Sequence, residues 1–321
     1  MLVRRIIYIL EPFPVPFGGV ATIYQHVELL SKNSLPAYVA LRERPPIDYY
    51  GTTAPLLVGG DLQPERGDIF VIPEGFSVYV NALMRTPAKR LMFCQNQYNL
   101  PFAPTPRPGV GEFGVHGIIA SSKAVQKFFA DVYGLADLPL LPCAIDTQRF
   151  AAAKHKKRQI AFMPRKLVAE AHFIAATFKR RYPQHAWVPW VQIDKVTQAQ
   201  AAQIMGESAV FLSLSHQESF GLPPLEAMAC GCLVAGYHGD GGREYMTPQN
   251  GWWAETGDWL ACIDGLAAAI EMFDRGRFEA RRRAAKETVE QYSVSRLEAA
   301  LIKYWQRELS EPLPEYWTLN R

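Results

Sequence analysis

The stretch Ser213-Leu214-Ser215-His216-Gln217-Glu218-Ser219-Phe220-Gly221-Leu222-Pro223-Pro224-Leu225-Glu226-Ala227-Met228-Ala229-Cys230-Gly231-Cys232 passes from strand to turn to helix. The apolar run at 210–214 reads as a strand that enters a polar turn. Pro223 stands near the first helical position, where its missing N–H costs little, and Gly231 stands where a helix closes. Leu233-Val234-Ala235 then restarts a strand. Strand, turn, helix and strand in this order are the repeat of an α/β fold with a doubly wound parallel sheet. Ser219, Phe220, Gly221 and Leu222 then fall at a helix N-terminus above the carboxyl ends of the strands, where free N–H groups and the helix dipole favour a phosphate. Glu218, just before the turn, and Glu226, one turn into the helix, are placed toward the same crevice. Glu226 also lies among apolar neighbours, where an acid usually has a partner.

The same alternation extends both ways. Upstream, the pattern predicts strands at 159–163 and 187–193 and helices at 168–181 and 197–206. The first half repeats it: short β-rich runs at 3–10, 37–41, 56–58, 69–72, 90–94 and 117–120, and helices at 20–30 and 122–132. The first run ends in Glu11-Pro12-Phe13-Pro14-Val15-Pro16-Phe17-Gly18-Gly19, which reads as a glycine loop between strand and helix. A proline-rich segment without periodicity fills 95–113. The basic, weakly hydrophobic bridge at 144–158 marks a domain boundary. This gives a first Rossmann-like domain at 1–148, a second at 149–295, and a terminal helix and tail at 296–321 expected to cross back to the first.

Length and charge agree. The 321 residues suffice for two cores, and 49% hydrophobic with 20% charged residues excludes wholesale disorder. A net charge of +3 is too balanced for a chain that coats a polyanion, so no nucleic-acid partner is expected. No apolar run approaches the ~20 residues of a spanning helix, and the first apolar run is too short for a signal peptide, so a cytoplasmic protein is expected. Cysteines 94, 143, 230, 232 and 262 form no C-x-x-C, and the seven histidines show no metal-ligand spacing. Gly109-Val110-Gly111-Glu112-Phe113-Gly114 spells G-x-G-x-x-G but neither follows a strand nor opens a helix, so it is discounted as a dinucleotide fingerprint. Walker A, H-E-x-x-H, G-x-S-x-G and D-x-D arrangements are absent.

Spacing alone does not mark Glu218 and Glu226: Glu271/Glu279, Glu279/Glu287 and Glu290/Glu298 are also eight apart, in charged helices. The residues between and after the first pair do. Glu218 to Glu226 with the following Ala-Met-Ala-Cys-Gly-Cys resembles the E-x7-E motif of the retaining GT-B glycosyltransferases, family 4 in particular. The resemblance implies two Rossmann-like domains facing a central cleft. It assigns Glu218 to the donor sugar's hydroxyls, Glu226 to the nucleotide ribose diol, and the amides of Ser219, Phe220, Gly221 and Leu222 to sugar and phosphate. A carboxylate accepting from vicinal hydroxyls makes bonds of ~1.5–3 kcal/mol each.

Gly18-Gly19-Val20 resembles the family's N-terminal glycine loop, with Gly19 toward the donor diphosphate and Gly18 toward the acceptor. Asp146-Thr147-Gln148-Arg149-Phe150 resembles its interdomain hinge, and Gly239-Asp240-Gly241-Gly242-Arg243-Glu244 the glycine turn after the motif helix. Two features depart from the family. Adjacent Arg165 and Lys166 stand where it spaces an Arg and a Lys about five apart to clamp the diphosphate. Gln95 and Asn96 stand where a His is often found; either could hydrogen-bond the sugar or acceptor, but neither can donate a proton as an acid. His216 is the one histidine near the site.

The resemblance implies a metal-independent, retaining transferase with no cofactor. It would move sugar from a nucleoside-diphosphate sugar, a UDP-sugar first, to a glycan, lipid-linked or other hydroxyl acceptor in polysaccharide or glycoconjugate biosynthesis. Glu218, Arg165 and Lys166 would carry catalysis. A non-catalytic nucleotide-sugar-binding subunit, or a phosphorylase or epimerase on the same fold, is the alternative. The basic stretch 275–283 adds a peripheral membrane contact as a further expectation, against a plain solvated face. Oligomeric state is not legible.

Overall fold

The computed structural model describes residues 4–13, 17–45, 47–102 and 113–312. They group into two compact units, Met1–Pro142 with Leu297–Arg321, and Cys143–Arg296. In the first unit, β1 (Ile6–Leu10), β2 (Ala37–Leu41), β3 (Leu56–Val58), β4 (Ile69–Pro73), β5 (Lys89–Cys94) and β6 (Gly117–Ala120) form a sheet in the order β3-β2-β1-β4-β5-β6, parallel throughout. Ile6-Ile7-Tyr8-Ile9-Leu10 is buried along its whole length. A parallel strand covered on both faces reads as such an unbroken apolar run. Helices α1 (Gly18–Lys32), α2 (Ser77–Leu83) and α3 (Lys123–Tyr133) belong to this unit. Gly18 and Gly19 are therefore the first turn of α1, not a loop before it, and Phe17 precedes them without a side-chain cap.

In the second unit, β7 (Lys157–Phe162), β8 (Trp190–Gln192), β9 (Ser208–Ser215), β10 (Leu233–His238) and β11 (Gly251–Ala254) form a parallel sheet in the order β11-β10-β9-β7-β8. Its helices are α4 (Val168–Arg181), α5 (Gln198–Glu207), α6 (Leu222–Ala229), α7 (Trp259–Asp274) and α8 (Glu279–Glu290). Along β9 the apolar residues divide between two layers. Phe211 packs with Leu225, Met228 and Val234, while Val210 and Leu212 pack with Leu233, Ile263 and Leu266. The strand expected at 187–193 is shorter, because Pro189 immediately precedes it. Arg275, Gly276 and Arg277 form a turn, and the basic helix begins only at Glu279.

The two strand orders are the two common doubly wound ones. The order reverses between β1 and β4 in the first unit and between β7 and β9 in the second, and ligands of such sheets bind outside the carboxyl ends at that reversal. Of the segment 95–113, residues 97–102 form a short 3₁₀ helix. Residues 103–112, and with them most of the discounted G-x-G-x-x-G, lie outside the described residues. All five cysteines are free and buried. Among the described residues no helix is long and apolar enough to cross a membrane.

Helix α9 (Val294–Ser310) groups from Leu297 onward with the first unit. Trp305 is fully buried with its ring 6.3 Å from that of Tyr8. Lys89 on β5 makes a buried ion pair with Glu308, and Glu311 lies 3.6 Å from the same Nζ. Removing one partner of a buried pair strands the other charge, at ~3–5 kcal/mol. Lys89→Met is expected to lower thermal stability by that amount. A Lys89→Met/Glu308→Leu double variant should recover most of it in the same melt.

Candidate active site

The turn from β9 to α6 is built by its backbone. Gly221 lies at φ +84°, in the left-handed region that glycine enters without cost, and it precedes the first residue of α6. The Tyr245 hydroxyl donates to the Gly221 carbonyl. Phe220 is buried beneath the turn, 5.3 Å from the Tyr245 ring and 5.0 Å from that of Tyr292. Residues 219–222 are thereby held at the start of α6, above the carboxyl end of β9, as the sequence predicts. Helix α6 has no side-chain cap at this end.

Across the reversal in strand order, Arg165 and Lys166 follow β7. Lys166 Nζ lies 2.8 Å from Glu218 Oε1 and donates to the carbonyls of Gln217 (2.9 Å) and His216 (3.2 Å). All three ammonium protons thus have acceptors. Arg165 Nη2 is 3.8 Å from the same Glu218 oxygen. These three charged side chains are partly exposed, so their attraction is softened by solvent. His216, singled out in the sequence as near the site, contributes its carbonyl to Lys166.

Glu226 is partly buried on α6, and its carboxylate takes no hydrogen bond among the described residues. Burial pushes its carboxyl up to about 7, against the pull of the Arg149 charge. Such an acid without a hydrogen-bond partner among the described residues, at the mouth of a sheet reversal, has the profile of a ligand-binding group. Arg149 was read only as part of a hinge. Its nearness to Glu226 depends on the path of residues 146–150, which no local pattern encodes.

The glycine turn after β10 also belongs to this site. Gly241 N–H donates to the Glu218 carbonyl at 2.8 Å. A Cβ on Gly241 would lie 2.0 Å from the carbonyl carbon of Ser219 and 2.2 Å from the nitrogen of Phe220. The backbones touch, and only glycine permits it. Among the described residues no three of His, Cys, Asp and Glu are grouped to hold a metal ion.

In the first unit, Gln95 Nε2 donates to the Gly19 carbonyl at 3.1 Å, which brings together two residues predicted from separate motifs. Within the same loop, Asn96 Oδ1 accepts from Tyr98 N–H at 3.3 Å. Sequence reading passed over Glu74, which follows β4 in a Pro-Glu-Gly that looks like any turn. It is buried, accepts from Gln95 N–H (2.8 Å) and Asn99 Nδ2 (3.1 Å), and burial still pushes its carboxyl up to about 7. Glu74→Ala would orphan both donors, and a loss of ~1–3 kcal/mol is expected in chemical denaturation.

With this geometry in place, comparison with known proteins is informative. Residues 192–291 match the family model described as glycosyl transferases group 1, a segment that spans both Glu218 and Glu226. Over 283 residues the chain is 25% identical to an alpha-1,6-glucosyltransferase of Actinobacillus pleuropneumoniae serotype 7 (strain AP76), covering 85% of this chain and 86% of that protein. Among solved structures it resembles sucrose-phosphate synthase from Thermosynechococcus elongatus, with TM-score 0.71, 13% identity, and 96% and 99% of the two chains covered. It also resembles Anabaena Alr3699/HepE in complex with UDP-glucose, with TM-score 0.67, 16% identity, and 94% and 99% covered. The two parallel α/β units thus have the GT-B fold of glycosyltransferases, and residues 192–291 match the group 1 family of those enzymes.

Proposed function

We propose that the protein is a retaining, metal-independent glycosyltransferase that takes its sugar from a nucleoside-diphosphate sugar, a UDP-sugar first. The observation that carries this is the convergence of Lys166 and Arg165 on Glu218, beside the unpartnered Glu226 at the start of α6. The glucosyltransferase relative and the UDP-glucose complex of a GT-B neighbour support the same donor class. On this reading Glu226 accepts from the ribose diol, Arg165 and Lys166 meet the diphosphate, and Glu218 with the amides of residues 219–222 holds the sugar. Gly19 of the first unit lies toward the donor diphosphate, while Gly18, Gln95 and Asn96, with His216, serve the sugar and the acceptor, a glycan, lipid-linked or other hydroxyl. The bond from the anomeric carbon to the phosphate oxygen breaks, and its electron pair stays on the diphosphate. The acceptor oxygen bonds to the anomeric carbon on the same face, and its proton passes to the departing phosphate. Fixed cations and amides aimed at that developing charge would supply most of the acceleration.

The test separates the two acids. Glu218→Ala is expected to bind UDP at least as tightly as the parent, because Lys166 is released from its partner. Transfer from UDP-glucose should fall by ~100-fold or more. Calorimetric titration with UDP and with UDP-glucose, beside a transfer assay, reads both. Parent-like binding and turnover in Glu218→Ala and Glu226→Ala alike would show that the site lies elsewhere; donor binding without turnover against any acceptor would favour the binding-subunit alternative.

A further inference from the structure

We infer that the pole of the second unit away from its candidate site docks on an anionic lipid surface. In a parallel sheet the amino ends of strands and the carboxyl ends of helices share one pole. Here that pole collects the start of β7, the end of α4, the turn at 183–187 and the end of α7. One arginine ties three of them together: Arg158 grips Asp274 with Nε at 2.7 Å and Nη2 at 2.8 Å, and Nη2 lies 3.1 Å from His185 Nδ1.

Three acids of this pole are held in ion pairs. Asp274 pairs with Arg158, Asp264 with Arg181 at 2.7 Å, and Glu271 with Arg275 at 3.4 Å. Lys179, Arg180 and Arg277 remain, all exposed and without an ion-pair partner among the described residues. The basic residues farther along have other work: Arg281 lies over the Trp252 ring at 3.8 Å and Arg282 over the Phe278 ring at 4.0 Å.

A few residues beyond the basic end of α4 stands Trp187, 93% exposed, between a short 3₁₀ turn and the buried Val188. A preference for cations at a helix carboxyl terminus can account for Lys179 and Arg180. It does not account for an indole held wholly in water on a well-anchored turn. An amphipathic ring flanked by lysine and arginine matches the headgroup layer of a bilayer, where the indole is partly desolvated and the cations meet phosphate. Contact there would leave the candidate site, at the other end of the same sheet, open to solution.

Sedimentation with sucrose-loaded vesicles tests this, comparing phosphatidylcholine alone with phosphatidylcholine containing about a third phosphatidylglycerol. The parent should sediment with the anionic vesicles and be released by salt. Lys179→Glu/Arg180→Glu should weaken the association about tenfold or more, and Trp187→Ser several-fold. Both variants alter exposed side chains, and unchanged circular dichroism and UDP binding would show an intact unit. Absence of the parent from the anionic pellet, or equal sedimentation of parent and variants, overturns the inference. Equally strong retention on double-stranded DNA, indifferent to Trp187→Ser, would overturn it too, by showing a general polyanion face.

Discussion

Glu226→Gln is expected to weaken UDP binding by about one to two orders of magnitude while making the empty protein more stable above pH 7. The two effects share one cause. The carboxyl is desolvated enough to be pushed up to about 7, so its folded value lies above its unfolded one. The folded state then binds more protons than the unfolded state between the two values. The stability this group contributes is fully present below its unfolded value, about 4.5, and is lost as pH rises through about 7. At pH 8 the ionised group costs a few kcal/mol, which glutamine escapes. In the complex the same carboxylate would accept two charge-assisted bonds worth ~1.5–3 kcal/mol each, which glutamine cannot match. Melting curves at pH 5 and pH 8, with and without UDP, read both signs. A variant less stable at pH 8 and equally responsive to UDP would make Glu226 an ordinary structural acid.

Gly241→Ala should be among the most damaging single methyls in the second unit. Its Cβ would lie within about 2.2 Å of the Ser219–Phe220 backbone, which has no side chain to swing aside. Either the glycine turn retreats and its hydrogen bond to the Glu218 carbonyl is lost, or residues 218–221 move. Displacing the positioning backbone by about 1 Å costs ~100-fold in turnover, and a fall in kcat of at least that size is expected. Gly60, like Gly241 not at positive φ, meets nothing within 4 Å, so Gly60→Ala is the control for an added methyl without a clash. A Gly241→Ala enzyme with parental kcat would show that the contact is dispensable.

These examples also show what the sequence could carry. The stretch 213–232 was legible because every boundary within it has a local marker: an apolar strand, a polar turn, a proline at the helix start and a glycine at its end. The start of α1 was misplaced because Phe17 offers no capping side chain and two glycines suggest a loop. Helix α2 and strand β11 are short, seven and four residues, and carry too few periods to register. The contacts that shape the site were out of reach for a different reason. Gly241 meets Ser219, and Gln95 meets Gly19, across strands that only the folded sheet makes neighbours. Composition records that such glycines exist but not what their missing side chains make room for.

On the proposed function, the contact between Lys166 and Glu218 would shape the catalytic cycle. Each charge satisfies the other, so an anion arriving alone would have to displace a carboxylate and leave it bare. A ligand carrying both phosphate and sugar hydroxyls replaces both partners at once. Once the sugar has been handed on, the pair can re-form and push the spent diphosphate out. The ion pair would then act as a ratchet, favouring the loaded donor on entry and the unloaded one on exit.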